Sequence, residues 1–405
     1  MATAVPARPL PRLSATAGRV PSSTIRELLA LTVDDRVLSL AGGLPAVGHV
    51  HDATLADAAA RVLADPGAAQ YGPTEGWPPL RAWVAARMAA GGLPPADPDD
   101  VLVTHGSQQA LELVVRALVE AGDPVVVEQP TYLGAVQALS GVGAAALAVP
   151  VDGDGLDTDR LAADLAAGLR PRLCYLAPTF QNPSGVVMAA ERRAQLGELA
   201  DRYGFVVVDD DPYRELGFAP PPDRLRRWVP PELSVTLGTT SKLLAPGLRV
   251  GWLHGPDWLV EAVTRLKQTA DLHTSTVGQR IVAEVVAVPG WLDSRAERLT
   301  ALYRHRAGVL AGGLRAAAGH RLTFADPRGG MFLWARLAPG PDGAPADAAA
   351  LLPAAVRHGV AFVPGAAFAL ADPPADHLRL CFATLDDAQL ATAVDRLAAA
   401  LAETS

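Results

Sequence analysis

Between residues 100 and 255, short and continuously apolar runs alternate with helical patterns, and no other feature restricts the fold of this chain as much. The runs are VLVT (101–104), PVVVE (124–128), CYLAP (174–178), FVVVDD (205–210) and SVTLG (234–238). A strand with one wet face alternates polar and apolar residues, so strands that are apolar throughout belong to a parallel sheet covered on both faces. Between them, Ser107–Ala121 reads as a helix closed by Gly122, and Ala190–Tyr203 as one closed by Gly204. The alternation predicts an α/β sheet with right-handed crossovers.

The flanks differ. Thr24-Ile25-Arg26-Glu27 has the form of a capping box opening a short helix. Beyond residue 285 a long helix over 291–318 precedes strands GGMFLW (329–334), VAFV (360–363) and HLRLCF (377–382), and a final Ala/Leu helix covers 386–402. That order describes a smaller α+β unit, which the N-terminal segment is expected to join. The expected division is an arm (1–20), a segment packing with the small domain (21–48), a large domain (49–288) and a small C-terminal α+β domain (289–405). Ala338–Ala346, rich in Pro and Gly, reads as a surface loop.

A length of 405 residues suits two or three packed units. No apolar run approaches the roughly 20 residues of a membrane helix, and Met1–Ser14 lacks an apolar core, so it reads as a loose arm, not a secretory signal. Cys174 and Cys381 stand far apart in apolar stretches, which fits reduced buried thiols and a cytoplasmic location. A net charge of −8 argues against a nucleic-acid footprint.

Of the 35 Lys and Arg residues, only Lys242 and Lys267 are lysines. Where arginine has replaced lysine almost throughout, a retained lysine calls for a chemical reason. An amine that can lose its proton forms a Schiff base, and a guanidinium cannot. Lys242 lies in Gly238-Thr-Thr-Ser-Lys-Leu-Leu-Ala-Pro-Gly-Leu-Arg-Val-Gly251, just after a strand, at the carboxyl end of the sheet. Thr239, Ser241 and Arg249 around it suit a phosphorylated aldehyde, the amine taking the carbonyl carbon and the hydroxyls and guanidinium the phosphate.

Thr104-His-Gly-Ser-Gln-Gln-Ala-Leu-Glu112 adds a second phosphate candidate, in which a glycine turns the chain into a helix starting at Ser107. Free N–H groups and the positive dipole end favour a dianion there, with Ser107 and Gln108 as further donors. Asp209-Asp210-Asp211-Pro212-Tyr213 puts three acids at a strand end, where they repel one another unless a cation such as a pyridinium nitrogen is near. Gln181-Asn182-Pro183-Ser184-Gly185 is a good turn sequence after CYLAP.

In these motifs and their order the chain resembles fold-type I pyridoxal-5'-phosphate (PLP) enzymes of the class I/II aminotransferase family. Within that family it is most similar to the 2-aminoadipate, kynurenine and aromatic aminotransferases. The resemblance extends through SSTIRELLAL, SLAGGLP, QYGPTEGWPPLR, EQPTYLGA, FQNPSG, DLHTSTVGQR, RGGMFLW, GVAFVPG and LRLCFAT. It implies a large domain with a mostly parallel seven-stranded sheet between helices, a smaller α+β domain, and a homodimer with shared sites. It implies PLP on Lys242, which also carries the substrate proton; Asp210 on the pyridine nitrogen; Tyr213 and Asn182 on the ring oxygen; and Tyr132 stacked on the ring. Ser107, Gln108, Thr239, Ser241 and Arg249 would bind the phosphate, joined by Tyr71 from the neighbouring subunit. Arg379 would hold the substrate α-carboxylate with Asn182 and the Gly43 backbone. Arg26 either reaches the substrate side chain or is a helix-surface charge, and both readings stand.

After GGLP the chain reads AVGHVHD, where relatives have an acidic or aromatic stretch. His49 and His51, beside the entrance, either contact an unusual substrate or are surface residues, the commoner case for loop histidines. Lys267 and His273 are read as structural or interface residues. Amino-group exchange with a 2-oxo acid by a ping-pong mechanism is the expected activity. Elimination, replacement, C–C bond formation or oxidation on the same scaffold is the alternative. A regulator's effector module is a third reading, disfavoured because only about 20 residues precede TIRELL and a winged helix needs more.

Overall fold

The computed structural model describes residues 12–20, 36–46, 48, 52–90, 93, 95–340, 343–370 and 372–403. Arg26, His49, His51 and the Thr24–Glu27 capping box lie outside the described residues.

All five apolar runs are strands of one sheet. Its order is Val101–Thr104, Gly251–His254, Ser234–Thr239, Val206–Asp210, Leu173–Leu176, Pro124–Gln129, Ala145–Asp152 and Gly155–Leu156. Pairing is parallel from Ser234–Thr239 through to Ala145–Asp152, and Gly251–His254 runs antiparallel to both neighbours. Seven strands have the expected arrangement; the eighth is a two-residue hairpin partner at the edge. Val101–Thr104, Leu173–Leu176 and Val206–Asp210 are buried along their whole length, as a sheet sandwiched between helices requires.

Helix Ala190–Tyr203 ends as expected on Gly204, whose φ of +70° lets the chain leave in the left-handed region. The helix beginning at Ser107 ends at Leu118, three residues before the expected Ala121, because β-branched Val119 already has an extended φ of −123°.

The C-terminal unit holds an antiparallel sheet ordered Leu322–Thr323, Phe332–Leu337, His377–Cys381 and Val363–Pro364. Helices Trp291–Ala318 and Asp387–Glu403 cover it, sharing a core that includes Tyr303, Leu310, Leu314, Val394 and Leu397. Leu38–Ser39 pairs in parallel with Val360–Ala361, and the Cys381 N–H donates to the Leu40 carbonyl at 2.8 Å. Residues 38–46 are thereby clasped to the C-terminal sheet. Among the described residues no helix is long and apolar enough to cross a membrane.

Candidate active site

The carboxyl ends of the parallel strands open on a cavity of about 300 Å³, where segments distant in sequence meet. Lys242 enters it from the turn after Ser234–Thr239, and its Nζ donates to the Gly43 carbonyl at 2.9 Å. Burial, with Arg379 and Arg249 nearby, pushes the amine down to about 8 despite the opposing pull of Cys381 and Asp210. A free amine is therefore accessible near neutral pH, as a nucleophile toward a carbonyl needs.

Asp210 ends its strand on the same cavity. Its Oδ2 accepts from the Tyr175 hydroxyl at 2.8 Å, while its buried Oδ1 has no partner among the described residues. Burial raises its carboxyl to about 6, partly offset by the Tyr175 hydrogen bond. A buried carboxylate with one open oxygen is the complement of a protonated ring nitrogen.

The flanking acids correct one expectation. Strand alternation turns Asp209 and Asp211 away from the cavity: Asp211 pairs with Arg224 and, at 3.9 Å, with Arg214, while burial beside Asp211 raises the Asp209 carboxyl to about 7, an effect that Arg193 offsets in part. The triplet therefore needs a ligand cation at Asp210 only.

Arg379 is 1% exposed, yet no carboxylate pairs with it among the described residues. It donates to Asn182 Oδ1 at 2.8 Å and to the Ala41 carbonyl at 2.7 Å, and its Nε has no partner among the described residues. Phe332 and Phe368 cover its faces, with centroids 4.0 and 4.9 Å from Cζ. Desolvation lowers this guanidinium to about 10. A buried, planar, unpaired fork lining the same cavity as Lys242 is built for a carboxylate.

At the opposite end, Gly106 adopts φ +78° and starts helix Ser107–Leu118, with its first N–H groups toward the cavity. A Cβ at Gly106 would lie 2.6 Å from Arg249 Nη2, so only glycine lets the guanidinium approach. Arg249 itself holds φ +53° and donates to the His105 carbonyl at 3.0 Å. Thr239 Oγ1 donates to Ser241 Oγ at 2.9 Å, and Gln108 Nε2 to the Gly134 carbonyl at 3.0 Å, leaving Gln108 Oε1 without a partner among the described residues. The non-glycine left-handed residue, the helix end and the hydroxyl pair form one anion cradle.

Tyr132 and Tyr213 also line the cavity; burial raises the Tyr132 phenol to about 12 and moves Tyr213 in the same direction. Gly43 lines it too, its carbonyl taken by Lys242. Tyr71 is the exception: 78% exposed, it rests on His273 with ring centroids 5.6 Å apart, outside the cavity. Tyr175 was not among the candidates read from sequence, because an aromatic inside LCYL is indistinguishable from core until its hydroxyl partner is known. An aldehyde near Lys242, a phosphate at the Gly106–Ser107 turn and a ring nitrogen at Asp210 together fit PLP.

Residues 36–397 match the family of aminotransferases class I and II. The 2-aminoadipate transaminase of Thermus thermophilus is 40% identical over 391 residues, 95% of each chain. The aromatic-amino-acid aminotransferase 1 of Thermococcus litoralis is 36% identical, over 94% of this chain and 92% of its own. The crystal structure of the Thermus thermophilus α-aminoadipate aminotransferase LysN, complexed with N-(5'-phosphopyridoxyl)-L-leucine, superposes with a TM-score of 0.88 at 38% identity, over 96% of this chain and 97% of that one. Sequence, fold and cavity chemistry agree, and the chain belongs to the class I and II aminotransferases as a PLP-dependent transaminase of fold type I.

Proposed function

We propose that this enzyme moves an amino group between α-amino and 2-oxo acids in the Lys242 cavity, with Arg379 as the carboxylate anchor. The observation that carries the assignment is a buried, carboxylate-free guanidinium in the cavity that also holds the amine of lowered pKa. When bound, PLP supplies the carbonyl that accepts the amino group and the electron sink for the pair released at Cα.

The chain's own groups do the rest. Lys242 Nζ would hold the cofactor through its carbonyl carbon and, as a free amine, would carry the substrate proton between Cα and that carbon. Asp210 would hold a proton on the ring nitrogen, with Tyr175 orienting its Oδ2. Tyr132 would cover the ring, and Tyr213 and Asn182 would bond its oxygen. Ser107, Gln108, Thr239, Ser241 and Arg249 would hold the phosphate. The exposed position of Tyr71 supports a homodimer in which it reaches the phosphate of the other copy's site. Arg379 orients the substrate through its α-carboxylate, with Asn182 and the Gly43 backbone. The names of the relatives make 2-aminoadipate and aromatic amino acids the first donors to assay, with 2-oxoglutarate as acceptor. Arg26, outside the described residues, is the candidate reader of a distal carboxylate. The domain division proposed is 1–20, 21–48, 49–288 and 289–405, and the location proposed is cytoplasmic, where Cys174 and Cys381 stay reduced, as their burial favours.

Two measurements test this reading. Arg379→Met should lower kcat/KM for amino acids by about 10²- to 10³-fold, since the bidentate partner of a buried carboxylate is lost. The melting temperature of the substrate-free variant should rise instead of fall, because an unpaired buried charge has been removed. Unchanged kcat/KM would assign the carboxylate to another residue. In the second, the rate of PLP attachment to apoprotein should climb with pH and level off above about 8, where Lys242 has lost its proton. A climb continuing to the ordinary lysine range would show that burial does not depress this amine.

A further inference from the structure

The second of the two lysines, Lys267, is 0% exposed although its ammonium is one of the costliest groups to desolvate. It lies on helix Asp257–Asp271, and all three of its donors have acceptors: Asp271 Oδ1 at 2.7 Å, Asp271 Oδ2 at 2.8 Å and Gln109 Oε1 at 3.2 Å. Gln109 is the hub of the group. Its Nε2 donates to Asp271 Oδ2 at 2.6 Å, and its Oε1 also accepts the His105 backbone N–H at 2.8 Å. His105 in turn presents its carbonyl to Arg249 and precedes the left-handed Gly106, so Gln109 fixes the first residue of the phosphate turn. At its far end the same group continues into the supports of Tyr71. The chain turns from Asp271 through Leu272, held at φ +67°, to His273, whose N–H donates to the Asp271 carbonyl at 2.8 Å and whose ring carries Tyr71.

We propose that Lys267 is a positioning residue for cofactor binding: with Asp271 and Gln109 it locks the His105–Ser107 phosphate turn to the Asp271–His273 turn beneath Tyr71. The inference rests on the assignment of the cavity to PLP and deepens it. Two phosphate contacts, one for the chain's own site and one for the other copy's, then hang on a single buried ammonium. An arginine cannot replace it. Its longer planar fork would not fit a fully enclosed position whose three acceptors converge on one point, and this accounts for a lysine in so arginine-rich a chain.

A simple helix staple between Lys267 and Asp271 would act on folding alone, so affinity and stability must be read separately. Apoprotein is titrated with PLP and, independently, with inorganic phosphate, for Lys267→Met, Gln109→Leu and the double variant, and the apo melting temperature is recorded for each. The expected result is a PLP dissociation constant about 10- to 100-fold higher in each single variant, the loss set by buried polar groups left unpaired. The double variant should be little worse than either single one, because both cut the same link. Phosphate affinity should fall in parallel, and the loss should exceed anything the melting temperature accounts for. Should Lys267→Met fail to fold, Gln109→Leu alone carries the test. Dissociation constants within twofold of the parent, or losses that track melting temperature and add in the double variant, overturn the proposal. A parent that takes up PLP elsewhere than on Lys242, detected by borohydride fixation and peptide mapping, overturns the cavity assignment and the proposal with it.

Discussion

Lys242→Ala should reduce amino transfer by about 10⁵-fold or more, because it deletes both the covalent anchor and the base that relocates the substrate proton. Among the described residues Lys242 Nζ has one hydrogen-bond partner, the Gly43 carbonyl, and it faces the open cavity, so alanine there leaves space without collapsing a core. The variant should fold and still retain PLP through the cradle around Gly106 and Arg249. Its PLP should no longer be fixed to protein by borohydride, and it should bind amino acids in a single slow turnover. Methylamine at high concentration should recover part of the rate, since a free amine can enter the vacated space but lacks the effective concentration of a tethered one. Single-turnover absorbance with and without methylamine reads all of this. A variant with more than about a hundredth of the parent rate would assign the proton transfer to another group.

Asp210→Asn carries the second large effect, about a 10³-fold loss in kcat with little change in fold, since the amide is isosteric and Tyr175 can still donate to its oxygen. What would disappear is the negative charge proposed to keep a proton on the ring nitrogen. In the apoprotein this carboxyl sits at about 6, above its ordinary value of 3.8. A raised acid favours its neutral form in the fold, so its stabilising contribution is complete below about 4 and is lost as pH rises through 6. Asn removes that dependence, and the apo melting curve of the variant should be flatter than the parent's between pH 4 and 6. Asp209, buried and raised to about 7, retains its own share of the slope in either protein, whereas Glu128, raised to about 7 in part by the Asp210 charge, loses part of its shift in the variant. The comparison of variant with parent therefore reads Asp210 together with its effect on Glu128. A parallel pair of curves would mean that Asp210 is already ionised in the apo fold.

Legibility in the sequence followed the physics of each element. Strands such as FVVVDD announce themselves because burial on both faces leaves only one kind of side chain to choose. Ala145–Asp152 escaped notice because it lies toward the sheet edge, is partly exposed and uses Ala and Pro where a buried strand uses Val. The Lys242 and Ser107 motifs were visible because lysine, glycine and hydroxyls there answer to a ligand and leave a local pattern. Tyr175, and the arginines beside Asp209 and Asp211, left none. Arg193, Arg214 and Arg224 come together with the acids only in the fold, and each alone looks like one more surface arginine. The same holds for Lys267, whose rarity was plain but whose acceptors, Gln109 and Asp271, are fixed by the packing of two helices.

The clasp between residues 38–46 and the C-terminal sheet also sets an order of assembly on a chain made from one end. Every residue of the phosphate cradle, together with Lys242 and Asp210, has been made by residue 251. The substrate fork needs Ala41 near the beginning and Arg379 near the end. A nascent chain can therefore complete its cofactor cradle long before it can recognise an amino acid. Until the last strand, His377–Cys381, has been made, the chain has no Arg379 with which to hold an α-carboxylate.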